Sequence, residues 1–333
     1  MIHRIRTIDS HAAGEPLRLI VEGLPSPEGD TMLAKRAWAQ KHLDHHRRAL
    51  MLEPRGHADM YGALFTEPVT PGAHAGVLFM HNEGWSTMCG HGVIAVTTIA
   101  IQRDLIWTGG TSLVLDSPAG VIEATPTIVD AGDQRRVSAV AFRNVPSYVV
   151  EAGLPIKLGG RTVLVDVAFG GAFYAIVDAE AAGLAIEPAK LPELRRVGME
   201  VKREVERLRQ VVHPNDAGLT GIYGTIFTAP AQHPDAHLRN VTIFADAEVD
   251  RSPCGTGTAA VMAVLSEMGV LGEDGPFVHE SIVGTLFTGT IVGRIQIGDR
   301  PGIVPEIQGS AWITGEHTFL IDGDDPLKAG FRL

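Results

Sequence analysis

Cysteine is nearly absent from this chain: its 333 residues hold two, Cys89 and Cys254. Two cysteines exclude a disulfide framework and a four-ligand zinc site. Lysine is scarce, with Lys35, Lys41, Lys157, Lys190, Lys202 and Lys328 and no more. None stands in the glycine-flanked setting of a pyridoxal lysine, and no glycine-rich nucleotide loop is present. No uncharged apolar run reaches the roughly 18 residues needed to span a bilayer. The opening Met1-Ile2-His3-Arg4-Ile5-Arg6 reads as an alternating strand and not as a signal peptide. Positive charge is also short: 28 Lys and Arg face 39 Asp and Glu, a net charge of −11 that argues against nucleic acid and anionic membrane as partners. Hydrophobic residues make up 45% of the chain, enough for a core, and the length allows two domains of ordinary size. These bounds lead us to expect a cytoplasmic α/β or α+β enzyme with no metal and no cofactor.

Along the chain, residues 2–9 and Leu17 to Val21 read as strands. Thr31 is placed to cap a helix running to about Arg48. Strands at 63–65 and 76–80 lead to the first cysteine, and a helix follows from about Gly92 to Arg103. Strands are expected at 112–116, 120–124 and 137–142. Leu191, Leu194, Val197, Val201, Val205 and Leu208 form one stripe of an amphipathic helix over roughly 190–210. Strands at 222–227 and 240–244 precede the second cysteine, and short strands run on to Phe319-Leu320-Ile321.

The two cysteines lie in one pattern written twice. Met88-Cys89-Gly90-His91-Gly92 matches Pro253-Cys254-Gly255-Thr256-Gly257 at an offset of 165 residues, and Ala95-Val96 then meets Ala260-Val261. Asp9 and Gly14 fall on Asp166 and Gly171, and Val114-Leu115-Asp116-Ser117 falls on Val278-His279-Glu280-Ser281. A repeat of about 160 residues present twice means two homologous domains, not a solenoid. The expected division is 1–140 for the first, completed by C-terminal strands at about 310–333, and 150–310 for the second.

Each cysteine precedes a Gly-x-Gly that opens a helix. A helix start presents unpaired N–H groups and partial positive charge. It should ease loss of the thiol proton and can hold a carboxylate. If both helix starts face one cleft, the carbon beside that carboxylate lies between two sulfurs. One thiolate removes its proton and the other thiol supplies a proton to the opposite face. With no cofactor, the carbanion must be stabilised by preorganised dipoles. Both cysteines as buried hydrophobes, a Cys89–Cys254 disulfide, and a Cys–His–Asp hydrolase are the competing readings. Matched repeat positions, each before Gly-x-Gly, count against the first; the lack of other cysteines and the expected cytoplasmic setting count against the second; the third explains neither the second cysteine nor the repeat. His91 has two readings, orienting substrate or a first-turn residue, and Asp250 has two, an acceptor for a substrate ammonium or imino group or a turn carboxylate. His42, His45 and His46 beside Arg47-Arg48 read as an exposed helix face, and His57 with Asp59 as a site element or, ahead of that, a buried polar network.

At these residues the chain resembles the proline racemase family. The carriers are Met88-Cys89-Gly90-His91-Gly92, Asp250-Arg251-Ser252-Pro253-Cys254-Gly255-Thr256-Gly257-Thr258 and Glu53-Pro54-Arg55-Gly56-His57. The resemblance spans essentially the whole chain. It implies a diaminopimelate-epimerase-like fold of two pseudo-symmetric α/β domains, with the active site in the interdomain cleft and no cofactor, and a homodimer. It implies Cys89 and Cys254 as the acid/base pair, and Gly90, His91, Asp250, Gly255 and Thr256 as contacts to an imino acid, proline or hydroxyproline. In the family's dehydratases the position of Cys254 is typically threonine, so a cysteine there favours inversion at Cα, with 4-hydroxyproline as the expected substrate. His57-Ala58-Asp59-Met60-Tyr61-Gly62, Tyr223-Gly224-Thr225 and Asp324-Asp325-Pro326-Leu327 look more like the dehydratase branch. Thr225 and Ile226 also stand where epimerases usually carry a substrate-contacting histidine. Dehydration of trans-3-hydroxy-L-proline and proline racemisation are the alternatives, and a non-catalytic amino-acid-binding protein is the reading from another class.

Overall fold

The computed structural model of the protein describes residues 2–106, 112–131 and 134–332. The chain divides into two compact units, one of residues 1–142 with 310–333 and one of residues 143–309.

In the second unit the strands follow one another as Ser147–Leu158, Arg161–Phe169, Phe173–Asp178, Gly224–Pro230, Leu238–Phe244, Phe277–Glu280, Leu286–Ile297 and Arg300–Gly309. The last pairs back onto the first, Gly302 opposite Tyr148, so the sheet closes on itself. All neighbours are antiparallel except two, and a parallel pair needs a crossover. The two crossovers carry the unit's two long helices, Leu191–Leu208 and Gly255–Glu267.

The first unit repeats this order. Ala311–Asp322 pairs with Ile2–Ala12, then come Glu15–Glu22, Tyr61–Thr66, Ala75–His81, Leu113–Ser117 and Gly120–Ala131. The parallel pairs again fall at the third and fifth steps, and again the crossovers are helical. We label the helices α1 (Met32–His42), α2 (Asp44–Met51), α3 (Gly90–Gln102), α4 (Leu191–Leu208) and α5 (Gly255–Glu267).

Side-chain bonds repeat as well. His74 and Val114 exchange two bonds, N–H to carbonyl at 2.8 Å and N–H to Nδ1 at 2.9 Å. His237 and Val278 do the same at 2.8 Å each. The Asp116 carboxylate accepts from the amides of Val69 and Thr70, as Glu280 does from Gln232 and His233.

Helices α3 and α5 are apolar on every side, which suits elements buried all round. Every residue from Gly90 to Ile101 and from Gly255 to Val264 is buried. α3 packs against the strands at 2–12, 15–22, 120–131 and 311–322, and α5 against those at 147–158, 161–169, 286–297 and 300–309. α4 is amphipathic and lays Leu194, Val197, Val201 and Val205 on the core, with Arg196, Arg203, Glu204 and Arg207 on its outer side. Gly198 is needed here, since a Cβ would stand 2.9 Å from the side chain of Ile243.

The helix expected from Thr31 to Arg48 is two helices. Thr31 does cap α1, its hydroxyl accepting from Ala34 N at 3.0 Å. Leu43 then turns inward to the core, and Asp44 starts α2 by holding Arg47. The C-terminal strands are long, not short: three of 12, 10 and 12 residues follow one another from Leu286. No helix among the described residues is long and apolar enough to cross a membrane.

Candidate active site

Both cysteines sit at the N-cap of their helix, α3 for Cys89 and α5 for Cys254, and each helix has 13 residues. Each sulfur accepts the N–H of the glycine three residues on: Gly92 N to Cys89 Sγ at 3.3 Å and Gly257 N to Cys254 Sγ at 3.3 Å. This bond begins α3 at Gly90, two residues before the start expected from the apolar run. It also explains the second glycine of each Gly-x-Gly. A Cβ on Gly92 would stand 2.5 Å from Phe79 Cε1 and 2.9 Å from Cys89 Sγ, and one on Gly257 2.9 Å from Cys254 Sγ.

Around Cys89, the His91 ring brings Nδ1 to 3.2 Å and Nε2 to 3.6 Å from the sulfur. His91 is buried, with the Tyr61 ring edge-on at 4.8 Å. The Tyr61 hydroxyl bonds Ser86 Oγ at 2.6 Å. A thiol and an imidazole at this distance can share one proton, which gives Cys89 the makings of a base.

Cys254 has different neighbours. Asp250 Oδ1 accepts from Ser252 N at 2.8 Å and from its hydroxyl at 2.6 Å, and Ser252 Oγ accepts from Cys254 N at 3.1 Å. The Tyr174 hydroxyl lies 2.7 Å from Thr256 Oγ1 and 3.8 Å from the sulfur. Burial, and then the Asp250 charge, push the Cys254 thiol up to about 12, against the smaller opposing effects of the Gly257 N–H, Tyr174 and Thr256. The expectation that a helix start eases this thiol's ionisation is therefore corrected. Desolvation outweighs the helix terminus, and the group stays protonated at neutral pH. Tyr174 is likewise raised well above the ordinary phenol range, by burial first and by Cys254 and Tyr223 next.

Gly90 and His91 form the first turn of α3, and Gly255 and Thr256 that of α5; all four are buried. Asp250 lies on the short strand Glu248–Asp250 and is buried. Both cysteines are free thiols in buried positions. Sequence reasoning missed Tyr174, Ser252 and Tyr61. Ser252 stands inside the quoted motif, two residues before Cys254, but its bonds to Asp250 and to the Cys254 amide are not visible in the pattern; Tyr174 and Tyr61 arrive from separate strands at no motif spacing. Thr225 is buried and donates to the Gly198 carbonyl at 2.8 Å, so its hydroxyl is used in tying the strand to α4.

The remaining polar candidates belong to the first unit. His57 is exposed with Nδ1 2.7 Å from the Ala58 carbonyl, not in a buried network, while Asp59 is buried. Arg55 donates to Asp325 and to the Leu320 carbonyl, both at 3.2 Å, which ties its loop to the C-terminal segment. His42 and His45 are exposed, but His46 is half-buried and stacks on His45 and His3 at 4.0 and 4.9 Å. Among the described residues no three His, Cys, Asp or Glu side chains are placed to hold a metal ion.

With this geometry in view, residues 7–332 match the family model described as proline racemase. The chain belongs to the proline racemase family. A trans-3-hydroxy-L-proline dehydratase of Bacillus thuringiensis subsp. konkukian is 47% identical over 329 residues, covering 98% of this chain and 97% of the relative. A proline racemase of Clostridioides difficile is 42% identical over 333 residues, covering 99% and 98%. Among solved structures, a hydroxyproline epimerase from Agrobacterium vitis with bound trans-4-hydroxy-L-proline superposes with a TM-score of 0.91 at 30% identity, covering 99% of this chain and 95% of that one. Within the proline racemase family, then, the named relatives are isomerases and a hydro-lyase, and the two-unit fold is the diaminopimelate-epimerase-like one expected.

Proposed function

We propose that the protein removes the Cα proton of a proline-ring amino acid with Cys89 as the base and Cys254 as the acid, and that its net reaction is dehydration of trans-3-hydroxy-L-proline. The observation that carries this reading is the inequality of the two thiols. Both thiols are equally buried, but Cys89 has an imidazole 3.2 Å away to share its proton, whereas Cys254 has the Asp250 charge opposing its ionisation and the hydroxyls of Tyr174 and Thr256 at 3.8 Å. Fixed base and fixed acid suit an elimination, which runs one way. The 47% identity to a dehydratase points in the same direction.

The substrate carboxylate is assigned to the helix starts at Gly90-His91 and Gly255-Thr256, whose amides and positive dipole ends suit an anion. Asp250 is assigned to the ring nitrogen. Cys89 takes the Cα proton, the C–O bond at C3 breaks, and Cys254 protonates the departing hydroxide to water. The resulting cyclic enamine tautomerises to the imine. Amide dipoles at the carboxylate stabilise the carbanion, so no cofactor is called for. A homodimer, as the family resemblance implies, and a cytoplasmic setting, as the composition suggests, complete this reading.

Inversion at Cα, with 4-hydroxyproline as substrate, is the second reading. It is favoured by the matched N-cap geometry, with both sulfurs 3.3 Å from their glycine amides. In that case the thiols act on opposite faces of one α carbon and exchange roles between directions. The substrate ammonium would then have to offset the Asp250 charge and lower Cys254. Proline racemisation follows the same steps. One panel separates the readings: trans-3-hydroxy-L-proline, trans-4-hydroxy-L-proline and both prolines, in heavy water, with optical rotation and imine formation followed together. Imine from the first substrate alone supports dehydration. Rotation change with Cα deuterium uptake from the others supports inversion. A bound amino acid with no Cα exchange in any sample would overturn both in favour of simple binding.

A further inference from the structure

The peptide entering Cys254 is held at both ends. Its N–H goes to Ser252 Oγ at 3.1 Å. Its carbonyl, that of Pro253, accepts from Asn240 Nδ2 at 3.1 Å and from Thr258 Oγ1 at 3.1 Å. Thr258 has one hydroxyl proton and gives it to Pro253. The 2.9 Å contact between Thr258 Oγ1 and His279 Nδ1 must then be donated by the imidazole. This fixes the Nδ1–H tautomer of a neutral ring. Asn240, Thr258 and His279 are all fully buried, and among the described residues Asn240 Oδ1 and His279 Nε2 find no hydrogen-bond partner, a cost that these bonds offset only in part.

What these groups hold is the conformation of one residue. Cys254 has φ +62° and ψ 107°, a region that side chains other than glycine rarely enter and that persists only where the surroundings over-determine it. Cys89 has φ −149° and ψ 110°, ordinary extended backbone. The first unit serves as the internal control. Ala75 lies opposite Leu115 and Gly76 opposite Asp116, just as Leu238 lies opposite His279 and Arg239 opposite Glu280. Asn240 therefore stands where the first unit has Val77, and His279 where it has Leu115. The 165-residue offset of the cysteine turns puts Thr258 on Val93. Val77, Val93 and Leu115 are fully buried too. The apolar trio accompanies the relaxed cysteine, and the polar trio accompanies the strained one.

We propose that Asn240, Thr258 and His279 are positioning residues that hold the Pro253 carbonyl, lock Cys254 in its left-handed backbone and aim its thiol, without acting on Cys89. The consequence for turnover rests on Cys254 being the acid proposed above; the positioning itself does not.

The test uses Asn240→Val and Thr258→Val, which install the side chain of the first unit, with Thr258→Ser keeping the hydroxyl. Iodoacetamide labelling, read peptide by peptide by mass spectrometry, gives the rate at each cysteine in the same molecules. Cys254 labelling should change by about tenfold in both valine variants, given what small displacements do to reactivity, with Cys89 within about twofold and Thr258→Ser near wild type. Equal changes at both cysteines, or none at Cys254, overturn the proposal. If Thr258→Val does not fold, Asn240→Val carries the same comparison. With trans-3-hydroxy-L-proline in heavy water, the variants should lose imine formation by about 10- to 100-fold while deuterium still enters recovered substrate through Cys89. The ratio of exchange to elimination then rises, which a general loss of structure would not cause. If wild type neither exchanges nor eliminates, the acid–base reading fails, and the labelling ratio still decides the positioning.

Discussion

The two cysteine turns began as one sequence and now differ in conformation and charge. Each caps a 13-residue buried helix through its sulfur. Cys89 is relaxed and has His91 at its side, and its unit carries Val77, Val93 and Leu115 where the other has Asn240, Thr258 and His279. Cys254 is in left-handed backbone, tied to Asp250 through Ser252 and to Asn240, Thr258 and Tyr174 around it. The helix terminus is the same in both turns, so it cannot be what separates them. Burial is the same in both as well, so what separates them is the near neighbours, His91 beside one sulfur and Asp250 near the other. A duplicated motif sets where a thiol sits, and its unduplicated surroundings set what the thiol does.

The comparison breaks first at the cysteines themselves. Cys89→Ala should cost about 10³-fold or more in kcat, the upper range for losing a general base, on trans-3-hydroxy-L-proline in a steady-state imine assay. Cys254→Thr should leave that activity reduced but measurable and abolish any inversion. Equal losses would mean that the thiols are equivalent. The glycines come next. Gly92→Ala drives a methyl to 2.5 Å from Phe79, and Gly257→Ala one to 3.0 Å from Ile226 Cδ1. Both should lower unfolding free energy in urea, by about 1–3 kcal/mol as overpacking does, with the first turn the more sensitive.

Acid stability should separate the turns as well. Burial holds His279 neutral by pushing its pKa down to about 3, and His46 is pushed down to about 4 by burial and then by His45 and His3. Below about pH 6.5 the unfolded chain binds these protons and the folded chain does not. Stability is therefore full above that pH and falls toward pH 4, by up to about 1.4 kcal/mol per pH unit for the fully buried His279 and by less for the half-buried His46, whose charge water screens. His279→Leu, the side chain of the first turn, should flatten this slope in denaturant titrations at pH 7 and pH 5. The smallest effect is expected from Tyr174→Phe. Losing one buried hydroxyl bond of about 1 kcal/mol should reduce kcat about fivefold with little change in KM, and leave Cys89 labelling untouched.

Much of the architecture was legible in advance. The amphipathic stripe from Leu191 to Leu208 became α4, and the apolar runs after each Gly-x-Gly became the buried helices α3 and α5. The strand Ser147–Leu158 was not foreseen, because prolines, glycines and charges interrupt its alternation and pairing on both sides stabilises it instead. Of the site, the cysteines and their glycines were readable because sulfur-to-amide capping is local, spanning three residues. Ser252 and Thr258 stood in the motif without their partners being readable, and Tyr174, Asn240 and His279 were not readable at all, since strand pairing brings them in.

By itself the sequence determined the duplication, the two helix-capping thiols and the family, because each rests on contacts between residues a few positions apart or on a pattern repeated along the chain. Only the tertiary structure decided that Cys254 stays protonated, that its backbone is left-handed and that Asp250 engages a turn. These follow from burial and from side chains delivered by distant strands, and a linear pattern does not encode how much water reaches a sulfur or which carboxylate lies beside it.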